Sequence, residues 1–357
     1  MFIEVNSRIK NYKIYFHTEI NFIHDFVKLQ NSIVVIDRIV YKLYFEGKYP
    51  IKSNDNFILF ESDENLKNLD SVLQLYDFVI NYAAKKNLTI VSIGGGILQD
   101  ITGFFASTIY RGIKWIFIPT TLLAQSDSCM GSKTSLNYSN YKNLIGTFYP
   151  PDEIHISTCF LKTLKDLDFY SGLGEVVKLH IMGGMEYEDK IRSQINEILK
   201  RNDTILIDFV INSLKIKWSY IKDDEFDSGR RNLLNFGHCF GHALESSSNF
   251  FIPHGQAVLI GMILANIISL SRNKLSRERF NELLDLISTA LLVDVKKEYL
   301  NTDIVISAMK KDKKRTGNLL SVILLDESNI LSKVDDVSDE EAEYSLSSLS
   351  KFIKGVK

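Results

Sequence analysis

Residues 231–254, reading RNLLNFGHCFGHALESSSNFFIPH, hold His238, His242 and His254, three of the chain's seven histidines. His238 and His242 are four apart, one helical turn, and so share a helix face. Neutral imidazole is the commonest protein metal ligand and the side chain best suited to moving protons near pH 7. A zinc site with an open position takes three nitrogen or oxygen ligands; these histidines and one carboxylate from elsewhere would supply them. Glu175, in the apolar run GLGEVVK (172–178), is a charge that needs a partner there. Lys178 lies one turn on, on the same face. Two accounts stand: an ion pair between the two, or metal ligation by Glu175 with Lys178 facing an anionic ligand.

A second group of residues suits phosphate chemistry. Gly94-Gly95-Gly96 stands between an apolar run and a helical one. It either lets backbone approach a pyrophosphate at a helix N-terminus or serves only as a tight turn. The third glycine is not at the spacing of the full dinucleotide fingerprint. Asp100, one turn into the helix, is either a solvated position or a polar contact to a ribose or nicotinamide. Thr120 and Thr121 follow the next strand, at the sheet edge where ligands bind in such folds; the plainer account is a polar loop start. Residues 127–146, DSCMGSKTSLNYSNYKNLIG, read as a long polar loop carrying Asp127, Lys133, Lys142 and Asn143. Lysines among small polar residues suit a phosphate or carboxylate, against the alternative of solvated surface lysines.

The elements that must hold these residues fall into two patterns. Up to about residue 160, short β-rich runs alternate with helical ones. Residues 2–6 and 12–16 read as a hairpin; 32–36, 56–60, 88–93 and 114–118 as strands; and 65–85 and the stretch after Gly96 as helical. This is a doubly wound α/β pattern. Beyond it, 3.6-residue periodicity dominates over 204–220, 231–247, 256–271 and 276–291, with a strand at 320–325. A terminal helix over 340–353 is announced by Ser338 and Glu341, the signature of a capping box.

Composition narrows the class. A net charge of −2 without a basic tail argues against a nucleic-acid partner. Cys129, Cys159 and Cys239, sparse and odd in number, suit a reducing compartment. The N-terminal residues alternate polar and apolar, unlike a signal peptide, and the apolar stretch 257–269 reads as too short to span a bilayer. The expectation is a cytoplasmic protein without a membrane partner.

The segments GGGILQD, YRGIKWIFIPTTLLAQSDS, GSKTSLN, KNLIGTFYPP, SGLGEVVK, LLNFGHCFGHALE and HGQAV follow one another in order. Together they closely resemble the dehydroquinate synthase family of sugar-phosphate cyclases, over at least Glu64 to Lys314. The resemblance implies an α/β plus α protein: an N-terminal Rossmann-like NAD-binding domain (1–160), a C-terminal mainly helical metal- and substrate-binding domain (161–357), and an active site between them. It implies a divalent metal, zinc with cobalt as a substitute, on Glu175, His238 and His254, with His242 left for acid–base or hydrogen-bonding work. It places Asp127, Lys133, Asn143, Lys178, Lys217, Arg231 and Asn235, with one of Lys313 and Lys314, around a seven-carbon keto acid phosphate. Asp37, Glu64, Lys67, Gly94, Gly95, Gly96, Asp100, Thr120, Thr121 and Lys142 fall on the cofactor side. Arg111 matches an arginine that reaches the neighbouring subunit's phosphate, which implies a homodimer.

The implied reaction oxidises an alcohol transiently with NAD, eliminates phosphate, returns the hydride and closes a carbocycle by an aldol step, with no net oxidation. Arg231, Asn235 and Lys217 favour the carboxylate-bearing substrate over the carboxyl-free sugars, or amino analogues, of other cyclases; a metal-dependent polyol dehydrogenase is the more distant alternative. The chain departs from the family pattern at Ser132 (usually glycine), Gln256 (usually glutamate), Pro150 (usually glutamine), Ile39 (commonly asparagine) and Tyr138–Tyr141.

Overall fold

The computed structural model describes residues 1–48, 56–82, 86–139, 141–310 and 319–353. It divides into two compact units, Met1–Leu164 and Lys165–Lys357, and the division follows a 3₁₀ segment at Thr158–Thr163.

In the first unit, β1 (Phe2–Val5) and β2 (Tyr12–Phe16) form the expected hairpin, which opens a seven-stranded sheet. The other strands are β3 (Ser32–Asp37), β4 (Phe57–Phe60), β5 (Thr89–Gly94), β6 (Lys114–Pro119) and β9 (Glu153–Ile156), in the order β1-β2-β9-β6-β5-β3-β4. All but the β1–β2 pairing are parallel. β3 is buried at every residue and β5 at all but its first, hence their uninterrupted apolar runs. The chain passes from β3 to β4 on one side and later to β5 on the other. The strand order therefore reverses between β3 and β5, at whose carboxyl ends Asp37 and Gly94 stand; such a reversal opens a ligand crevice. Helices α1 (Ile23–Val27), α2 (Arg38–Tyr44), α3 (Leu69–Asn81) and α4 (Gly96–Thr108) connect the strands. α3 is shorter than the periodicity over 65–85 suggests, because Asn68 caps it by accepting from the Ser71 N–H after a 3₁₀ turn at Glu64–Leu66.

Residues 127–146 are not the irregular loop the sequence suggests. A π-turn at Ala124–Ser128 leads into a hairpin of β7 (Lys133–Tyr138) and β8 (Tyr141–Phe148). Thr134 and Leu136 are buried while Lys133 and Tyr138 face outward; the period of two is carried by Thr and Ser as much as by apolar residues, which hides it.

The second unit holds α5 (Asp166–Met182), α6 (Met185–Leu199), α7 (Asp203–Ile221), α8 (His238–Ser247), α9 (His254–Ser271), α10 (Arg277–Thr289), α11 (Thr302–Lys310) and α12 (Asp339–Phe352), with the hairpin β10 (Leu320–Leu325) and β11 (Leu331–Val337). The Ser338–Glu341 capping box is present. The periodic run 231–247 is not one helix: a 3₁₀ turn at Arg230–Asn235 is followed by Phe236 and by Gly237, whose φ of 78° redirects the chain before α8 begins at His238. By length and composition α9 could cross a membrane, contrary to the reading of 257–269 as too short. Gly255 to Ser269 are all buried, however, and α5, α8, α10 and α12 pack around α9 as the central helix of the unit.

Candidate metal centre

Three helices bring the candidate ligands together, and their main chains touch. A Cβ added at Gly174 would lie 2.3 Å from the Gly255 carbonyl oxygen, one at Gly255 1.8 Å from that of Ser171, and one at Gly261 2.0 Å from that of Gly237. Only glycine permits these approaches. Each candidate ligand adjoins one of these residues: Glu175 follows Gly174, His238 follows Gly237, and His254 precedes Gly255.

Glu175, His238 and His254 each direct a ligand atom into a space where all three atoms lie within 4.8 Å of one another. Glu175 Oε1 is 3.3 Å from His254 Nε2 and 3.7 Å from His238 Nε2. Its Oε2 is 2.5 Å from Lys178 Nζ, which also donates to the Leu234 carbonyl at 3.0 Å. The ion pair occupies Oε2 and leaves Oε1 facing the two imidazoles. Both oxygens are buried, and neither has a hydrogen bond of ordinary geometry among the described residues. One oxygen and two imidazole nitrogens converging on a buried carboxylate are a donor set that fits a divalent cation such as Zn²⁺. His238 Nδ1 lies 3.2 Å from the Phe236 carbonyl, which directs its Nε2 inward.

The local charges follow. Burial opposes ionisation of Glu175, but Lys178 and His254 outweigh it and hold the carboxyl at about 2. Burial likewise opposes protonation of His254, yet Glu245 and Glu175 raise it to about 10. His238 is pushed well below its ordinary value by burial, then by Lys178, His254 and His242. The exposed ring of His242 is 5.3 Å from that of His238 and 5.8 Å from that of His254, centroid to centroid.

Glu245 escaped the sequence reading. It is buried, with Oε1 3.4 Å from His254 Nδ1. The signal was present: His238, His242 and Glu245 stand at i, i+4 and i+7 of one helix face.

Other candidates of this unit surround a tight loop. Asp224 accepts hydrogen bonds from the Ser228 N–H and hydroxyl and from the Gly229 and Arg231 N–H groups. The buried Arg231 guanidinium donates to the Glu225 carbonyl. Asn235 Nδ2 donates to the Asn232 carbonyl at 2.9 Å, and Lys217 is buried on α7, which packs on the Arg230–Asn235 turn. Lys313 and Lys314 lie outside the described residues. Gln256, where the family usually has glutamate, donates to the Tyr170 and Ala290 carbonyls and accepts from the Leu292 N–H. A carboxylate could not make the two donations.

In the first unit the candidates form a separate network. Lys67 Nζ is 2.9 Å from Asp100 Oδ2 and 2.6 Å from Asn143 Oδ1. Asp100 also accepts from the Ser135 N–H and hydroxyl, so it is not the solvated helix residue of the plainer account. Asn137, at a bulge in β7, donates to Glu64 Oε1 at 2.9 Å and accepts from the Asn143 N–H. Neither Ser135 nor Asn137 was anticipated, because a bulge re-aims a side chain in a way period-two reasoning misses. Lys142 is 4.0 Å from Glu64. Asp37 Oδ1 accepts from the Ile39 and Val40 N–H groups as the N-cap of α2, so that oxygen already has a structural task. Gly94 ends β5, Gly95 caps α4 and Gly96 begins it; a Cβ at Gly95 would crowd Thr121 at 3.1 Å. The Thr120 N–H donates to the Gly94 carbonyl, and Thr121 Oγ1 accepts from the Ala124 N–H. Arg111 is exposed with φ 65°, Asp127 half-buried in the π-turn, and Lys133 exposed at the start of β7. Ser132 has φ 67°, a left-handed conformation that glycine would adopt at lower cost.

Comparison with known proteins identifies the lineage of the chain. Residues 57–171 match the family model for the 3-dehydroquinate synthase N-terminal domain and residues 172–315 that for its C-terminal domain. The 3-dehydroquinate synthase of Clostridium tetani is 37% identical over 329 residues, covering 88% of this chain and 86% of its own. That of Acetivibrio thermocellus is 34% identical over 331 residues, covering 90% and 91%. Among solved structures, 2-epi-5-epi-valiolone synthase from Streptomyces hygroscopicus superposes with a TM-score of 0.82 at 21% identity, covering 98% of this chain and 99% of its own. A 2-deoxy-scyllo-inosose synthase gives 0.79 at 21% identity, covering 99% and 100%. These last two show the fold, and the family models and relatives settle the lineage: the chain belongs to the 3-dehydroquinate synthase family.

Proposed function

We propose that the chain is a phosphate-eliminating lyase that converts 3-deoxy-D-arabino-heptulosonate 7-phosphate to 3-dehydroquinate and phosphate. The observation that carries this reading is the Glu175–His238–His254 cluster with Lys178 against it, in a chain of this family. The related valiolone synthase structure holds NAD⁺ and Zn²⁺, and the inosose synthase NAD⁺ and Co²⁺, which supports NAD and a divalent metal, zinc first, as cofactors here. When bound, the metal supplies Lewis-acid polarisation of a substrate oxygen and NAD supplies reversible hydride transfer.

The chain's own residues bind, orient and move protons. Glu175, His238 and His254 hold the metal. Gly94, Gly95 and Gly96 leave room for a pyrophosphate at the start of α4, with Asp37, Glu64, Lys67, Asp100, Thr120, Thr121 and Lys142 as polar contacts to the dinucleotide. Lys133, Lys178 and Lys217, with Asp127, Asn143, Asn235 and one of Lys313 and Lys314, position a flexible anionic substrate, which is the main task when one site must support several steps. The Arg231 guanidinium pairs with the substrate carboxylate as a bidentate fork. His242, exposed and one turn from His238, exchanges a proton at a ring nitrogen. Arg111 reaches a second copy of the chain in a homodimer. Three thiols and no disulfide suit a cytoplasmic location.

Incubating the purified chain with NAD, Zn²⁺ and the heptulosonate phosphate should release inorganic phosphate without net NADH. Turnover of sedoheptulose 7-phosphate in its place would make the protein another cyclase, and NADH accumulating with a simple polyol would make it a dehydrogenase. Arg231→Ala should raise the barrier in kcat/KM by roughly 2–5 kcal/mol, as for truncating one partner of a buried charged pair. An unchanged kcat/KM would mean that no carboxylate is read there.

A further inference from the structure

We propose that Glu245 positions His254 for metal binding: its carboxylate takes the Nδ1–H of the imidazole and so presents Nε2 toward the cation position shared with Glu175 and His238. The inference rests on the metal centre proposed above and adds to it a residue outside the ligand set.

The geometry is asymmetric in the way this role requires. His254 meets a carboxylate at each ring nitrogen: Glu175 Oε1 at 3.3 Å from Nε2 and Glu245 Oε1 at 3.4 Å from Nδ1. Nε2 shares its space with Glu175 and the half-buried imidazole of His238, whereas Nδ1 meets Glu245 from α8 with the exposed His242 ring beside them. His254 is the first residue of α9, directly after Pro253, and no side chain caps that helix. Its ring is a third exposed, whereas Glu245 is 4% exposed, in the last turn of α8. Glu245 therefore supplies from a neighbouring buried helix a restraint that the start of α9 lacks. His238 receives the matching restraint from a main-chain acceptor, the Phe236 carbonyl. Each metal-facing imidazole thus has its outer nitrogen fixed by an oxygen, the arrangement that sets tautomer and ring orientation at metal sites.

A second cation is the competing use of the same atoms, because His242, Glu245 and His254 also lie within 4.8 Å of one another. It would need His254 stripped of both ring protons to bridge two metals, with His242, an exposed side chain, as the third ligand. A carboxylate accepting the Nδ1–H needs neither.

The test is Zn²⁺ affinity of the full chain, measured by competition with a chromophoric chelator, together with the visible absorption spectrum of the Co²⁺ form. Glu245→Ala should bind one equivalent about 10–100-fold more weakly, the usual cost of losing such a partner, with altered Co²⁺ bands. Glu245→Gln, which keeps an oxygen acceptor at the same reach, should recover part of the affinity and most of the spectrum. The melting temperature of each metal-free variant against the metal-free parent reports the packing cost at this buried position, and Glu245→Gln, which keeps acceptor and volume, separates positioning from that cost. Unchanged affinity and spectrum in Glu245→Ala would overturn the proposal, as would two equivalents in the parent falling to one in that variant. A parent that binds no metal would instead overturn the centre itself.

Discussion

Asp100 in the first unit and Glu175 in the second are both shielded carboxylates with a lysine ammonium beside them, at 2.9 and 2.5 Å. Burial pushes the Asp100 carboxyl above its ordinary value even with Lys67 in contact, whereas Glu175, opposed by the same burial, is held at about 2 by Lys178 and His254. The difference lies in how the surroundings are completed. Lys67 divides its charge between Asp100 and the neutral Asn143, and Ser135 closes the remaining oxygen positions with hydrogen bonds. That network is satisfied within itself, so a ligand that uses it must exchange partners. Glu175 has two cationic neighbours and buried oxygens that accept no ordinary hydrogen bond among the described residues. Its Oε1 converges with two imidazole nitrogens instead, and burial alone does not separate the two cases.

The contrast can be broken most severely at Glu175. Glu175→Ala should abolish stoichiometric metal binding and lower turnover on the order of 10³-fold, the several kcal/mol that a Lewis-acid metal supplies. Metal analysis of the purified variant checks it, and retained metal would remove the distinction. Gly255→Ala asks whether backbone spacing sets the cluster: a Cβ 1.8 Å from the Ser171 carbonyl oxygen forces the helices apart. It should cost about 3 kcal/mol in denaturant titrations and weaken metal binding with it. Lys67→Ala sharpens the other side. Stripping the cation from Asp100 should cost about 2 kcal/mol, less than for a fully buried pair, because both groups keep some exposure. A carboxyl whose folded pKa is raised costs stability above that pKa, and the cost fades as pH falls through it. The penalty of Lys67→Ala should therefore be larger at pH 8 than at pH 5; a penalty that grows toward acid would mean Asp100 is not strained by its charge. The smallest effect is Ser132→Gly beside this network, which should stabilise by about 1 kcal/mol by relieving a left-handed residue of its Cβ, read as a higher unfolding midpoint.

Much of this was legible in the sequence where a single period or spacing carried the information. The apolar runs that became β3 and β5, the paired His238 and His242, and Ser338 with Glu341 each state their structure locally. What stayed hidden depends on contacts distant in the chain. β7 buries a threonine and a leucine between polar neighbours, so its alternation is invisible to hydropathy. Asn137 matters because a bulge turns it toward Glu64, 73 positions away. Glu245 reads as an ordinary charged residue near a helix end until α9 brings His254 against it. The break at Gly237 is hidden because the residues on both sides continue the same apolar rhythm.

The contacts at Gly174, Gly255, Gly237 and Gly261 have a consequence for how such a chain can change over time. Side chains vary in size from one sequence to the next, but main-chain atoms do not. Where helices rest on each other through carbonyl oxygens and Cα atoms, their separation is the same whatever residues cover their outer faces. The distances among Glu175, His238 and His254 are thereby insulated from drift elsewhere in the unit. Outer surfaces can be rewritten while the gauge that sets the spacing of the three side chains stays fixed by four positions that carry no side chain at all.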